Sequence, residues 1–270
     1  MASGNVALVT GTSSGIGKAI AAALLTAGYE VYGTSRRPAT TSVDGIRMLA
    51  CDVTDDQSVQ AAVEALTASS EGIQLLVNNA GVGLLGGLEE SSIAQAQAIF
   101  DVNLFGAIRM TKAVLPHMRK QGSGRIINIS SVLGFLPAPY SALYSSTKHA
   151  LEGLSESLDH ELRGFGIRVS LVEPAYTRSG FEANLFEPDE KLSIYDGARS
   201  NANALMREVM LQADSPELVA NAVVKAATAS IPRHRYTAGK IAKQVSLLRR
   251  FVPEGAFDRS LRKQLRLPQG

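Results

Sequence analysis

The chain is nearly without cysteine. Cys51 is the only one in 270 residues, so no internal disulfide can form, which fits a reducing, cytosolic setting. Long apolar runs are lacking too: no segment offers the ~18 uninterrupted apolar residues that a membrane span requires. The opening MASGNVALVTG has no basic stretch followed by an apolar core, so no leader is expected and the protein reads as soluble and cytoplasmic. Net charge is small, at +2, and gives no field calling for nucleic acid. That charge is uneven, however, with six Arg/Lys against two acids over residues 249–270. His117, His160 and His234 show no ligand spacing, and no metal site is expected.

What is present alternates between short β-branched runs and longer helical stretches. The runs are VALVT (6–10), EVYGTS (30–35), RMLACDV (47–53), QLLVNNAG (74–81), GRIINISS (124–131) and IRVSLVEP (167–174). Helical patterns occupy 18–28, 56–69, 92–118, 141–162 and 215–230, the last opened by Ser215 as cap and Pro216 in the first turn. Strands that are nearly continuous hydrophobics, each followed by a helix, predict an α/β fold with a doubly wound parallel sheet covered on both faces. No linker or fixed-period repeat divides the chain, which predicts one domain over 1–270. Residues 181–215, punctuated by Pro188, Asp189 and Gly197, read as an insertion before the last helix.

The stretch TGTSSGIGKA (10–19) ends the first strand and opens the first helix. Gly11, Gly15 and Gly17 leave no β-carbons where the backbone must turn tightly against an anion. The helix N-terminus adds free amides and the positive end of its dipole. Phosphate-loop spacing fails, because five residues separate Gly11 from Gly17 and Ala19 follows Lys18 where a hydroxyl is needed. A dinucleotide is the expected ligand. An acid at the end of the second strand would bind an unphosphorylated ribose, yet this chain has Ser35-Arg36-Arg37. A guanidinium suits a 2′-phosphate, so Arg36 predicts NADP(H) in preference to NAD(H). Asp52, closing the third strand, is expected at the adenine amino group; a plain turn acid is the bland reading.

In ALYSSTKHAL (142–151), Tyr144 and Lys148 stand four residues apart, on one side of a helix. A tyrosine laid over a lysine stem on an exposed face would look the same. The chemical reading is that a cation one turn away stabilises the phenolate and brings a pKa of ~10 toward neutrality, as proton transfer between alcohol and carbonyl requires. His149 adjoins the lysine but lies ~100° further round the helix and is read as a surface or packing residue.

TGTSSGIG (10–17), CDV (51–53), NNAG (78–81), DVN (101–103), ISS (129–131), YSSTK (144–148) and EPAYTRS (173–179) follow one another in this order. Together they resemble the short-chain dehydrogenase/reductase family from residue 5 to about 180, and within it the branch holding hydroxysteroid and retinol dehydrogenases and many bacterial relatives. The resemblance implies a Rossmann-type sheet of about seven strands in the order 3-2-1-4-5-6-7. It implies catalytic roles for Asn103, Ser131, Tyr144 and Lys148. Tyr144 would be the general acid/base, with Lys148 its tuner and a ligand of the nicotinamide ribose. Ser131 would orient the substrate oxygen and Asn103 would bind a water near Lys148. Ser131 is preferred to Ser130 because the family's serine lies thirteen residues before the tyrosine, and strand alternation turns Ser130 away. Besides Tyr144 and Lys148, cofactor contacts are implied for Gly11, Ser13, Ser14, Gly15, Ile16, Gly17, Arg36, Asp52, Val53, Asn79, Ala80, Gly81, Pro174 and Thr177. Two positions depart from the pattern. Ala175 stands where glycine is usual and disfavours positive φ, and Ser179 stands where threonine is common.

The expected substrate is a small-molecule carbonyl or secondary alcohol. Leu133 to Tyr140 and residues 176–215 should complete its pocket, including Phe181, Leu185, Phe186, Tyr195, Leu205 and Met206, whose apolar character points to a lipophilic molecule. The basic segment 240–270 mixes Arg/Lys with Leu and Phe. Self-packing, a pocket cover or a subunit contact is favoured there over an anionic membrane surface, because Pro253 and Gly255 interrupt the amphipathic run. The apolar side of 103–162 implies a homodimer or homotetramer. Two rival readings are an NADPH-binding sensor without turnover and an extended-branch sugar-nucleotide epimerase or dehydratase. The first gains nothing from a chain that keeps both Tyr144 and Lys148, and the second calls for other glycine spacing and a longer C-terminal domain.

Overall fold

The structure, a computed structural model, describes residues 5–38, 40–180 and 185–264. Phe181, expected in the substrate pocket, and residues 265–270 of the basic segment lie outside them. The chain opens with β1 (Val6–Val9), α1 (Gly15–Thr26) and β2 (Glu30–Ser35), then a hairpin of β3 (Ser42–Val43) and β4 (Ile46–Ala50). Next come α2 (Asp56–Ser69), β5 (Leu75–Asn78), β6 (Gly83–Leu84), α3 (Ile93–Phe100), α4 (Gly106–Gln121), β7 (Gly124–Ile129) and α5 (Ala142–Leu162). β8 (Ile167–Pro174) leads through β9 (Leu185–Phe186), α6 (Asp196–Met210) and α7 (Pro216–Thr228) to β10 (Arg235–Ala238). Then follow α8 (Lys240–Phe251) and α9 (Glu254–Gln264).

One sheet runs in the order β10-β8-β7-β5-β1-β2-β4-β3, parallel throughout except where β3 meets β4. Counted alone in chain order, the parallel strands give the expected 3-2-1-4-5-6-7. The extra edge strand comes from Asp44-Gly45, whose φ values of 52° and 84° form the two-residue turn that Asp-Gly favours. Strand alternation divides the core. Ala7, Val9, Leu75, Val77 and Ile127 face α1 and α7, while Leu8, Leu76, Ile126 and Val169 face Val59 and Val63 of α2 and Met110 and Val114 of α4. Asp159 pins α5 to β8: fully buried, it accepts hydrogen bonds from Arg163, Arg168 and the Val169 amide.

Two helical expectations change. The stretch 92–118 is not one helix: α3 and α4 are joined by a π-helical turn over Asp101–Phe105. Ser215 occupies the N-cap of α7, yet its hydroxyl makes no capping bond. Pro253 separates α8 from α9, the interruption expected there, while Gly255 lies within α9.

Candidate active site

Successive strands turn to opposite sides of β1 and β5, and a parallel sheet opens a crevice at the carboxyl ends of such strands. Here it is a cleft of about 490 Å³. Gly11, Ser13, Ser14, Gly15, Ile16 and Gly17 line one side of it. The loop is held tightly from below: Asn79 Nδ2 donates to the Thr10 and Gly11 carbonyls at 2.9 and 3.2 Å, while Thr10 Oγ1 accepts from the Asn79 and Ala80 amides. A β-carbon on Gly17 would collide with the Gly11 carbonyl oxygen and with the Asn79 amide. Gly17→Ala is therefore expected to cost about 2–3 kcal/mol of stability and ~10-fold or more in dinucleotide affinity. Thermal melts and fluorescence titration with NADPH check both; wild-type values would remove the tight loop from the account. Ser14, the N-cap of α1, gives the first-turn amides no side-chain acceptor, and no acid occupies that turn. Such an end suits an anion.

Arg36, Asp52 and Val53 line another side of the cleft. Arg36 is exposed and follows β2 directly. Asp52 accepts from the Thr54 amide and hydroxyl through Oδ1, at 3.0 and 2.7 Å, and these bonds hold its carboxyl below the usual range. It thus serves its turn as well as lining the cleft. Asn79, Ala80 and Gly81 cross the middle, and Pro174 and Thr177 lie beyond. Ala175 has no positive φ, so the glycine it replaces is not required by this backbone.

Ser131, Tyr144 and Lys148 line the same cleft. Tyr144 and Lys148 come from one face of α5, with the Lys148 ammonium 5.7 Å from the Tyr144 ring centroid. Lys148 is buried and donates to the Ile129 carbonyl at 2.9 Å. Ser131 Oγ accepts from the Leu133 amide and bonds to the Tyr144 phenol, whereas the Ser130 hydroxyl lies against Gly134 and Glu152. Asn103 sits apart from the main cleft. The π-turn carries it inward, where Nδ2 donates to the Val82 carbonyl and Thr147 hydroxyl and Oδ1 accepts from the Val82 amide. Together with Lys148 it lines a separate cavity of about 10 Å³. Gly81 lies between them: a β-carbon there would be 3.2 Å from Asn103 Oδ1 and 4.0 Å from Lys148 Nζ.

The protein's own residues do not acidify the phenol. Burial pushes Tyr144 up to about 12, and the Ser131 hydrogen bond offsets only part of that rise. Burial also draws Lys148 down to about 8, against the pull of Glu152 one turn further along α5. Glu152 and Glu173 are themselves buried around the Arg235 guanidinium, and burial, with the Glu152 charge adding to it, pushes Glu173 up to about 8.

At the remaining end the cleft is apolar. Val82, Leu84, Leu85, Val132, Leu133, Tyr176, Leu185, Met206 and Met210 form its walls. Of the predicted pocket residues, Leu133, Leu185 and Met206 are there, while Phe186, Tyr195 and Leu205 are not. Phe186 pairs with Leu84 through β9 and β6, and Tyr195 turns outward to donate to Glu89.

A family profile described as short chain dehydrogenase matches residues 5–190. The chain belongs to the short-chain dehydrogenase family. As a short-chain dehydrogenase it is an oxidoreductase working between alcohol and carbonyl groups with a nicotinamide dinucleotide. Among curated relatives, 3-ketodihydrosphingosine reductase of Bacteroides thetaiotaomicron is 44% identical over 179 residues, 66% of each chain. Retinol dehydrogenase 8 of Bos taurus is 33% identical, over 93% of this chain and 86% of its own. A short-chain dehydrogenase from Streptomyces avermitilis superposes with a TM-score of 0.82 at 33% identity, covering 98% of this chain and 96% of its own. A Burkholderia phymatum short-chain dehydrogenase solved with NAD is 25% identical at TM-score 0.79, covering 92% and 93%. ElxO with NADP bound is 28% identical at 0.73, covering 87% and 97%.

Sequence reasoning missed several parts of this short-chain dehydrogenase cleft. Val82, Leu84 and Leu85 follow β5 directly, and an apolar run at the carboxyl edge beside the chain reversal was signal enough to find them. Met210, one turn beyond Met206 on α6, lies within the 176–215 stretch expected to complete the pocket. Glu90 left no such signal. Fully buried, it pairs with Arg199 of α6 and accepts from the Gly87 and Leu192 amides, so it fastens the apolar wall to the body of the molecule.

Proposed function

We propose that this short-chain dehydrogenase uses NADP(H) to interconvert a secondary alcohol and a carbonyl on a lipophilic small molecule. The observation that carries the reading is the shared cleft: Ser131, Tyr144 and Lys148 line it together with the glycine-rich loop and a set of apolar side chains. Gly11 to Gly17 would cradle the pyrophosphate, with Asp52, Val53 and Asn79 to Gly81 along the adenosine and Pro174 and Thr177 by the nicotinamide. When bound, the nicotinamide gives or takes the hydride, and its oxidised ring adds positive charge beside Tyr144.

Tyr144 then moves the proton. With its pKa near 12 the phenol is protonated at neutral pH, the form that delivers a proton to a carbonyl oxygen. Ser131 donates to that oxygen and holds it at the phenol. Lys148 has three donors and commits one to Ile129, which leaves others for the ribose hydroxyls. The cavity shared by Asn103 and Lys148 is near the smallest that admits a water, and such a water would link the ammonium to Asn103. The apolar end of the cleft supports a lipophilic substrate, and the names of the sphingoid and retinoid relatives agree with that class. No described helix is long and apolar enough to cross a membrane, and a cytoplasmic homodimer or homotetramer remains the expected setting.

Arg36 is the proposed 2′-phosphate clamp. Arg36→Ala should raise the NADPH dissociation constant ~10-fold, about 1.4 kcal/mol, and leave that of NADH within about twofold. Equal NADPH and NADH affinities in the unaltered protein would defeat this clamp. A panel of sphingoid ketones, retinoids and ketosteroids, assayed by NADPH consumption against small hydrophilic ketones, tests the substrate class.

A further inference from the structure

We propose that α8, continued by α9, is a docking face for an anionic lipid surface beside the entrance to the substrate cleft. The inner side of α8 is committed: Ala242 is fully buried, and the helix packs against β10 and the 132–134 turn. Its outer side carries Ile241, Leu247, Leu248 and Phe251, which are 47%, 51%, 48% and 72% exposed. At a rotation of ~100° per residue these four fall within about one third of the circumference, so they form one stripe. An exposed apolar stripe of this kind on a helix is a surface awaiting a partner.

The charges around the stripe select that partner. Lys243 and Arg250 are exposed along one edge of it, Lys240 is exposed at its N-terminal end, and Arg259 and Lys263 are exposed on α9. From 240 to 270 the chain has eight Lys/Arg against two acids, Glu254 and Asp258, whereas the preceding residues have nineteen against twenty-three. A second copy laid on the same stripe would bring two sets of flanking cations together with too few acids to face them. Anionic headgroups meet the cations, and the acyl boundary receives the apolar side chains. Pro253 is no obstacle, because the stripe is complete within α8.

Position gives the face a use. The 132–134 turn against which α8 packs contributes Val132 and Leu133 to the cleft wall. Leu211, just after Met210 of that wall, is 81% exposed. A molecule dissolved in a bilayer would therefore meet the cleft without crossing bulk water. The docking itself is independent of which substrate the cleft accepts.

Co-sedimentation of the full chain with vesicles of equal parts phosphatidylcholine and phosphatidylglycerol tests the proposal. The protein should pellet with these vesicles at low salt, and at least ~10-fold more weakly with phosphatidylcholine alone or at ~1 M salt, where the Debye length falls to about 3 Å. Leu248→Glu and Phe251→Glu, at exposed positions, should each weaken pelleting ~10-fold while thermal stability and turnover of a water-soluble ketone stay at the wild-type level. Lys243→Glu with Arg250→Glu should do the same. Ile93→Glu, 74% exposed on α3, should have no effect. No pelleting with the anionic vesicles, equal pelleting with the neutral ones, or an equal loss in Ile93→Glu would overturn the proposal. A dimer split by Leu248→Glu in a chain that ignores vesicles would assign the stripe to a second copy instead.

Discussion

Tyr144→Phe is expected to lower turnover ~10³-fold or more, the scale of a lost general acid/base, while NADPH affinity stays within about twofold. The substitution deletes one oxygen and keeps the ring that lines the cleft and lies 5.7 Å from the Lys148 ammonium. Ser131 retains its bond from the Leu133 amide, so the substrate-facing turn is not disturbed. Stability at neutral pH should change little, because burial penalises only the phenolate, which is not populated there, and the substitution forfeits mainly the bond to Ser131. Steady-state rates beside a fluorescence titration of NADPH separate the two effects. Turnover within ~10-fold of wild type would place proton transfer elsewhere.

Lys148→Met should move activity and stability in opposite directions. Turnover should fall by a comparable ~10³-fold, because the proposed phenolate would lose its neighbouring cation and the ribose its proposed donor. Stability of the dinucleotide-free protein rises. Burial draws the ammonium from 10.5 down to about 8, so the unfolded chain holds this proton more tightly than the folded one. Stability from this group therefore increases as pH climbs from about 8 to 10.5, and the whole penalty is present below about 8. Methionine fills the stem's space without the charge, forfeiting the bond to Ile129 and the attractions of Glu152 and the Tyr144 ring. A gain of about 1–3 kcal/mol at neutral pH, several degrees in melting temperature, is expected. The rise in stability across that alkaline window should vanish with it. A variant less stable than wild type at pH 7 would show that Lys148 is held more favourably than its burial implies.

Six strands followed from continuous apolar runs and the loop of Gly11 to Gly17 from glycine spacing, because both depend on local rules of period and backbone space, whereas the strand order and most other cofactor-side residues came from the family resemblance. Asn103 was found by its motif, but not its conformation. A π-turn adds a residue to the helix without altering composition, so 101–105 read as ordinary helix. Phe186 and Tyr195 were placed in the pocket on apolar character alone, which says that a side chain will be covered and not by what. The protein's own groups leave the Tyr144 phenol above its ordinary value for a related reason. Spacing puts a cation nearby, yet burial of the hydroxyl outweighs it, and burial belongs to the whole fold. The pairing of Glu90 with Arg199 spans the insertion and leaves no periodic trace.

That pair also separates two kinds of inheritance. The stretch from Leu185 to Met210 is riveted at Glu90, while the proposed proton-handling residues and the nucleotide cradle reside on other segments. Drift along α6 can thus reshape which guest fits without disturbing redox machinery, so long as acid and guanidinium are replaced together. Grafting this stretch between relatives is a natural route to new selectivity, with the rivet, and the bonds of Ser92 to Asp189 and Glu89 to Tyr195 beside it, travelling with the graft.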